Sequence, residues 1–163
     1  MILYPNAHFK NVREIELGFL KENNINALIL DVDNTLIDYD KNLQLEIIEW
    51  AKNLKANNIK LYILSNTNKK EKVKTVAEKL KIEYMYFAKK PLKTGFKKIQ
   101  EKLQEKPENI AVVGDQIFTD IVGGNRCKMF TILVEPIAEK DIWITMVKRP
   151  LEKAIKKKYH KNM

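Results

Sequence analysis

The chain has 163 residues, 45% of them hydrophobic and 31% charged, a balance that excludes wholesale disorder and supplies one hydrophobic core. No apolar run approaches the roughly 20 residues that cross a bilayer, the opening ten residues lack the basic-then-apolar pattern of a signal peptide, and the lone Cys127 can form neither an internal disulfide nor a zinc cluster, so a cytoplasmic protein with Cys127 as a small buried residue is expected. The net charge of +9 and pI near 9.5 favour anionic partners: nucleic acid, membrane headgroups or phosphorylated substrates.

The opening residues 4–9 read as irregular, and residues 12–21 carry Ile15, Leu17, Phe19 and Leu20 in a short predicted helix. Residues 27–30 are four apolar residues that stop at Asp31 and Asp33, the signature of a strand covered on both faces. After a turn at residues 38–42, Leu43, Ile47, Trp50, Ala51 and Leu54 recur at helical spacing. A second strand, 59–64, ends at Ser65-Asn66-Thr67. The next helix buries Val73, Val76, Ala77 and Leu80, while Lys69, Lys70, Lys72, Lys74 and Lys79 read as its solvated face. A third strand over 84–88 is closed by Lys89-Lys90-Pro91, since proline bars continuation of the ladder. Leu92, Phe96, Ile99 and Leu103 mark a third amphipathic helix. Residues 110–113 form a strand ending at Gly114-Asp115, a short helix covers 118–127, and 129–134 form a fifth strand.

Strands and helices alternating on short connections predict right-handed crossovers and an α/β doubly wound domain, with a mainly parallel five-stranded sheet and helices on both faces. One domain over 1–163 is expected, with 148–163 as its basic extension. That extension holds Lys148, Arg149, Lys153, Lys156, Lys157, Lys158 and Lys161 against Glu152, a local +6. In such sheets ligands bind beyond the carboxyl ends of the strands. Asp31 and Asp33, Ser65 and Asn66, Lys89 and Lys90, and Asp115 are the first residues past four strands, so they converge on one rim.

Asp31 and Asp33, like charges two residues apart, repel unless a cation neutralises them, so the pair suggests a hard-metal site such as Mg²⁺, with Asp31, Asp115 and a backbone carbonyl as its expected ligands. A carboxylate nucleophile can accept a phosphoryl group and split one hydrolysis into two steps, while Ser65 and a lysine hold the phosphate oxygens and Asp33 carries the proton. Each piece alone also fits a blander role: Ser65-Asn66 a helix cap, Lys90 a surface charge, Gly114-Asp115 a turn. Their coincidence in one chain order carries the weight.

The ordered set Asp31-Val32-Asp33-Asn34-Thr35-Leu36, Ser65-Asn66-Thr67, Lys90-Pro91 and Gly114-Asp115-Gln116-Ile117-Phe118-Thr119-Asp120 resembles the four motifs of haloacid dehalogenase (HAD) superfamily phosphatases. Within it the chain is similar to the YqeG-type subclass IIIA proteins, which include phosphatidylglycerophosphate phosphatases. Similarity continues through residues 123–126 and 131–134, and more weakly to Tyr4-Pro5 and residues 149–152. The resemblance implies a capless HAD-like Rossmannoid fold, Asp31 as nucleophile and Asp33 as acid and base. It implies Ser65 and Lys90 as phosphate holders, Asn66 and Thr35 as further hydrogen-bond partners, and Mg²⁺ at Asp31, Asp33 and Asp115 with Asp120 in support. One departure is Lys128, where relatives usually carry the glycine that suits a left-handed helix end.

Only about two dozen residues separate the first two motifs, enough for one crossover helix and no cap. The expected enzyme is a Mg²⁺-dependent phosphomonoester hydrolase with an open site, phosphatidylglycerophosphate being the candidate substrate and the inner membrane face a candidate location. Ile155 and Tyr159 among the tail lysines fit either a helix on an anionic bilayer or a solvated terminus. The alternatives are a binding module for RNA or a ribosome-associated partner, and a protein or nucleic-acid phosphatase. His8 and His160 read as surface residues, Trp50 and Trp143 as core-filling ones, and Asp38, Asp40 and Asp141 as turn or capping acids.

Overall fold

The computed structural model of the chain describes residues 2–38 and 40–137. The predicted extension at 148–163, with Asp141, Trp143, Ile155, Tyr159 and His160, lies outside them. The described strands are β1 (Ala7–Phe9), β2 (Ala27–Leu30), β3 (Lys60–Leu64), β4 (Glu83–Met85), β5 (Ile110–Gly114) and β6 (Phe130–Val134), and the α-helices are α1 (Leu17–Glu22), α2 (Leu45–Ala56), α3 (Lys70–Leu80), α4 (Lys93–Leu103) and α5 (Val122–Arg126). All pairings are parallel, in the order β1-β6-β5-β2-β3-β4.

The sheet has six strands, not the predicted five. The sixth, β1, comes from the opening segment read as irregular. It is three residues long, with Ala7 and Phe9 packed against the core on either side of His8, too short a run for a period of two to mark it, and its strand character comes through pairing with β6 (Ala7↔Ile132). Asn6 fastens it, the backbone N–H donating to the Thr131 carbonyl at 2.8 Å and the side-chain carbonyl accepting from the Thr131 N–H at 2.9 Å. His8, expected at the surface, is half-buried, with Nε2 lying 2.6 Å from Glu135 Oε1. The third strand is also shorter than predicted: the ladder ends at Met85, and Phe87 turns out of it at φ 51°.

Alternate residues of each central strand enter opposite cores, as a period of two requires. Leu28, Leu30, Leu61, Ile63, Ala111 and Val113 meet α1, α2 and α3 through Leu20, Ile47, Ala51, Leu54, Val73 and Leu80. Ala27, Ile29, Tyr62, Leu64 and Val112 meet α4 through Phe96, Ile99 and Leu103, with Cys127 buried beside them. Helices therefore cover both faces, the doubly wound arrangement expected. Trp50 serves as a core-filling residue, its indole N–H donating to the Ile15 carbonyl at 2.9 Å. Lys128 adopts φ 60°, the left-handed conformation that the departure from glycine predicts at some cost.

Candidate active site

Three strands run outward along the sheet from β2 to β4, and the chain then returns to the other side of β2 with β5. The switch point lies between β2 and β5, which pair Leu30↔Val113. Asp31 thus emerges opposite Gly114, and Asp115 follows one residue further along the neighbouring strand. Gly114 is required there: a Cβ would collide with the carboxyl of Asp120. Asp120 reaches this position because the chain beyond Asp115 winds as a π-helical turn, Ile117–Ile121, with the Ile121 N–H donating to the Gln116 carbonyl five residues back at 3.4 Å. Wide turns of this kind re-aim side chains at functional sites.

On the other flank the segment after β4 zips onto the end of β3. The Ala88 N–H donates to the Ser65 carbonyl at 2.9 Å and the Phe87 N–H to the Thr67 carbonyl at 2.8 Å. Asn66 clamps the backbone of Lys90 from both sides, accepting from its N–H at 2.6 Å and donating to its carbonyl at 3.1 Å. Held so, Lys90 turns inward. Its ammonium donates to Asp120 Oδ1 at 2.6 Å, the Leu64 carbonyl at 2.9 Å and Asp31 Oδ1 at 3.0 Å, which uses all three of its donors. Its side chain is only 3% exposed.

Asp31, Asp115 and Asp120 each offer a carboxylate oxygen within 4.8 Å of the others. Asp115 and Asp120 are fully buried, and Thr35 donates its hydroxyl to Asp115 Oδ1 at 3.3 Å. Three carboxylates facing one ammonium leave an excess of negative charge, and an all-oxygen donor set suits a hard divalent cation. Burial first, then the charges of Asp31 and Asp115, push the Asp120 carboxyl up to about 7 against the pull of Lys90. Burial would lower the Lys90 ammonium, but Asp120 and Asp31 outweigh it and hold Lys90 above the ordinary lysine range.

The carboxylate of Asp33 lies outside this triad. It accepts a hydrogen bond from Lys72 Nζ at 2.7 Å, with Asp33 half exposed and Lys72 only 15% exposed. The reading of Lys72 as part of a solvated face therefore misses its contact. The signal was present: Lys72 stands one turn before buried Val76, on the flank of the apolar stripe of α3. Ser65 is buried at the end of β3 and its Oγ accepts from the Thr67 N–H at 3.3 Å. It is not the cap of α3, which begins at Lys70. Asn66 touches the backbone of Lys90, so its observed contacts are positional. Between β2 and β3 the described residues form a hairpin-like turn, bridged Asp33↔Ile37 and Ile37↔Leu43, and α2. Among the described residues nothing forms a cap over the strand ends.

The family model for mitochondrial PGP phosphatase matches residues 1–138. The chain belongs to this PGP phosphatase family. The Bacillus subtilis (strain 168) protein named probable phosphatase YqeG is 39% identical over 161 residues, covering 96% of this chain and 93% of that protein. The Arabidopsis thaliana phosphatidylglycerophosphate phosphatase 1, chloroplastic/mitochondrial, is 28% identical over 95% of this chain, which spans 47% of that longer protein. The cobalt-bound deoxy-D-mannose-octulosonate 8-phosphate phosphatase of Haemophilus influenzae shares the fold, with a TM-score of 0.55 at 16% identity, covering 86% of this chain and 92% of that one. The PGP phosphatase family member described here is thus a YqeG-type phosphatase with a HAD-like fold, and its substrate is phosphorylated.

Proposed function

We propose that this protein is a Mg²⁺-dependent phosphomonoester hydrolase that works through an aspartyl-phosphate on Asp31, with phosphatidylglycerophosphate as its substrate. The observation that carries the reaction type is the meeting of Asp31, Asp115, Asp120 and Lys90 at the β2–β5 switch point. The substrate is supported by the matched family and by the name of the plant relative. Asp31, Asp115 and Asp120 supply the hard oxygens that fit Mg²⁺, with Asp120 a carboxylate neighbour in that set and Asp33 contributing no side-chain oxygen to it. When bound, the ion neutralises charge on the phosphate and on the attacking carboxylate.

In the first step a carboxylate oxygen of Asp31 attacks phosphorus, forming the acyl-phosphate bond as the ester P–O bond breaks. Asp33 delivers a proton to the departing alkoxide oxygen. Water then attacks the same phosphorus, Asp33 takes its proton, and the acyl-phosphate P–O bond breaks to return the Asp31 carboxylate and free phosphate. Ser65 holds a nonbridging oxygen, Lys90 adds its positive charge beside Asp31 while its donors stay on Asp120, the Leu64 carbonyl and Asp31, and Thr35 orients Asp115. Lys72 keeps the Asp33 side chain over the rim, a positioning contribution.

Phosphate release from a panel of phosphomonoesters, with and without Mg²⁺ and including phosphatidylglycerophosphate in vesicles, tests this reading. Wild type is expected to release phosphate only with the cation, and Asp31→Asn to release none. Release persisting in Asp31→Asn refutes the nucleophile, and turnover of small phosphomonoesters without turnover of the lipid refutes the substrate.

A further inference from the structure

The segment from Tyr86 to Leu92 that delivers Lys90 to the carboxylates also carries large apolar side chains into water. Tyr86 is 38% exposed, Phe87 54% and Leu92 53%. Large apolar side chains on a soluble surface are common singly but informative when grouped beside a site. These are grouped: Met85, Phe87, Ala88 and Leu92 line one hollow of about 310 Å³ together with Lys89 and Lys98. Phe87 and Lys89 both sit at positive φ, 51° and 57°, a backbone region that bulky residues enter only at a cost. The chain bears that cost here, with the Phe87 N–H held by Thr67, in an arrangement where Lys89 Nζ lies 5.2 Å from the centre of the Phe87 ring. Aromatic and ammonium groups thus face solvent on the same side.

We propose that this segment is a docking surface for an anionic phospholipid bilayer, with Phe87 and Leu92 entering the interface and Lys89 and Lys98 meeting the headgroups. Aromatic rings favour the headgroup level, and lysines bury their stems while keeping their charge wet. Each lysine near an anionic surface strengthens binding about fivefold. An aliphatic Leu92 and a hollow with a mainly apolar floor favour hydrocarbon over stacked bases. The surface adjoins the proposed reaction centre, and the inference rests on that reading only for its purpose: docked by this segment, the opening at Asp31 and Lys90 would stand at headgroup height.

Sedimentation of the full chain with phosphatidylcholine vesicles containing about 30% phosphatidylglycerol tests it, since these lipids bear no phosphomonoester and binding is read apart from turnover. The double variant Phe87→Asn, Leu92→Gln is chosen because asparagine tolerates positive φ. It should partition about tenfold more weakly than wild type while hydrolysing a soluble phosphomonoester equally. Lys89→Glu, Lys98→Glu, which leaves the apolar residues in place, should lose binding to these vesicles as well. Undiminished partition of either variant overturns the proposal, and so does a loss confined to single-stranded RNA binding. A chain that shows no phosphatase activity but whose vesicle binding falls in both variants would retain the docking surface and lose the catalytic reading.

Discussion

Lys90 joins the carboxylate of Asp31, the buried carboxylate of Asp120 and the last carbonyl of β3 through one ammonium group. Removing one partner of such a buried set leaves uncompensated charge, so Lys90→Met in cation-free protein should cost about 3–5 kcal/mol, read as a lower urea midpoint. Asp120 adds a pH dependence. Its folded pKa rises from 3.8 to about 7, so the folded state binds that proton more tightly than the unfolded chain, and cation-free stability falls as pH climbs from about 4 towards 7. Lys90 stays charged across that range. A bound divalent cation offsets the same repulsion, so Mg²⁺ should raise the melting temperature more at pH 8 than at pH 5, and an equal rise at both would refute the charge account. Lys72 acts through Asp33 across the half-exposed rim. Lys72→Ala should lower kcat about tenfold with KM little changed, Lys72→Arg should restore part of it, and stability should move by less than about 1 kcal/mol.

At the scale of elements, the site depends on two short connections. Asn66 ties the end of β3 to the backbone of Lys90 by two hydrogen bonds, and Asn66→Ala should cost about 1–3 kcal/mol in chemical unfolding and depress kcat more than Lys72→Ala does. Gly114 leaves the space that Asp120 fills, so Gly114→Ala should weaken the stabilisation by Mg²⁺ measured in the same melts. Neither the Asn66 clamp nor the Gly114 clearance is legible in a string of residues, because both are contacts between segments distant in the chain. The central strands and α2, α3 and α4 were legible, since four or five contiguous apolar residues and a helical stripe are local patterns. The strand β1 was not, its pairing with β6 joining residues more than a hundred positions apart. The end of β4 was misread because Tyr86 and Phe87 have the composition of a strand but face water.

Across the whole molecule, the parallel order β1-β6-β5-β2-β3-β4 sets the switch point and leaves the strand ends open among the described residues. An open rim does not discriminate by leaving-group bulk, so kcat/KM should not fall as the alcohol of the phosphomonoester is enlarged, which a homologous substrate series would measure. No helix among the described residues is long and apolar enough to cross a membrane. Fold class, the two-faced helical cover and the acids just past the strand ends, Asp31, Asp33 and Asp115, were written in the chain, because hydrophobic period and residue type at strand ends are local properties, whereas Asp120 was implied only by the family resemblance. The exchange of partners, with Asp120 joining Asp31 and Asp115 while the Asp33 carboxylate turns to Lys72, was decided only by the folded chain. A π-helical turn and a helix flank set those distances, and electrostatic pairing depends on distance in space, to which spacing along a sequence gives no measure.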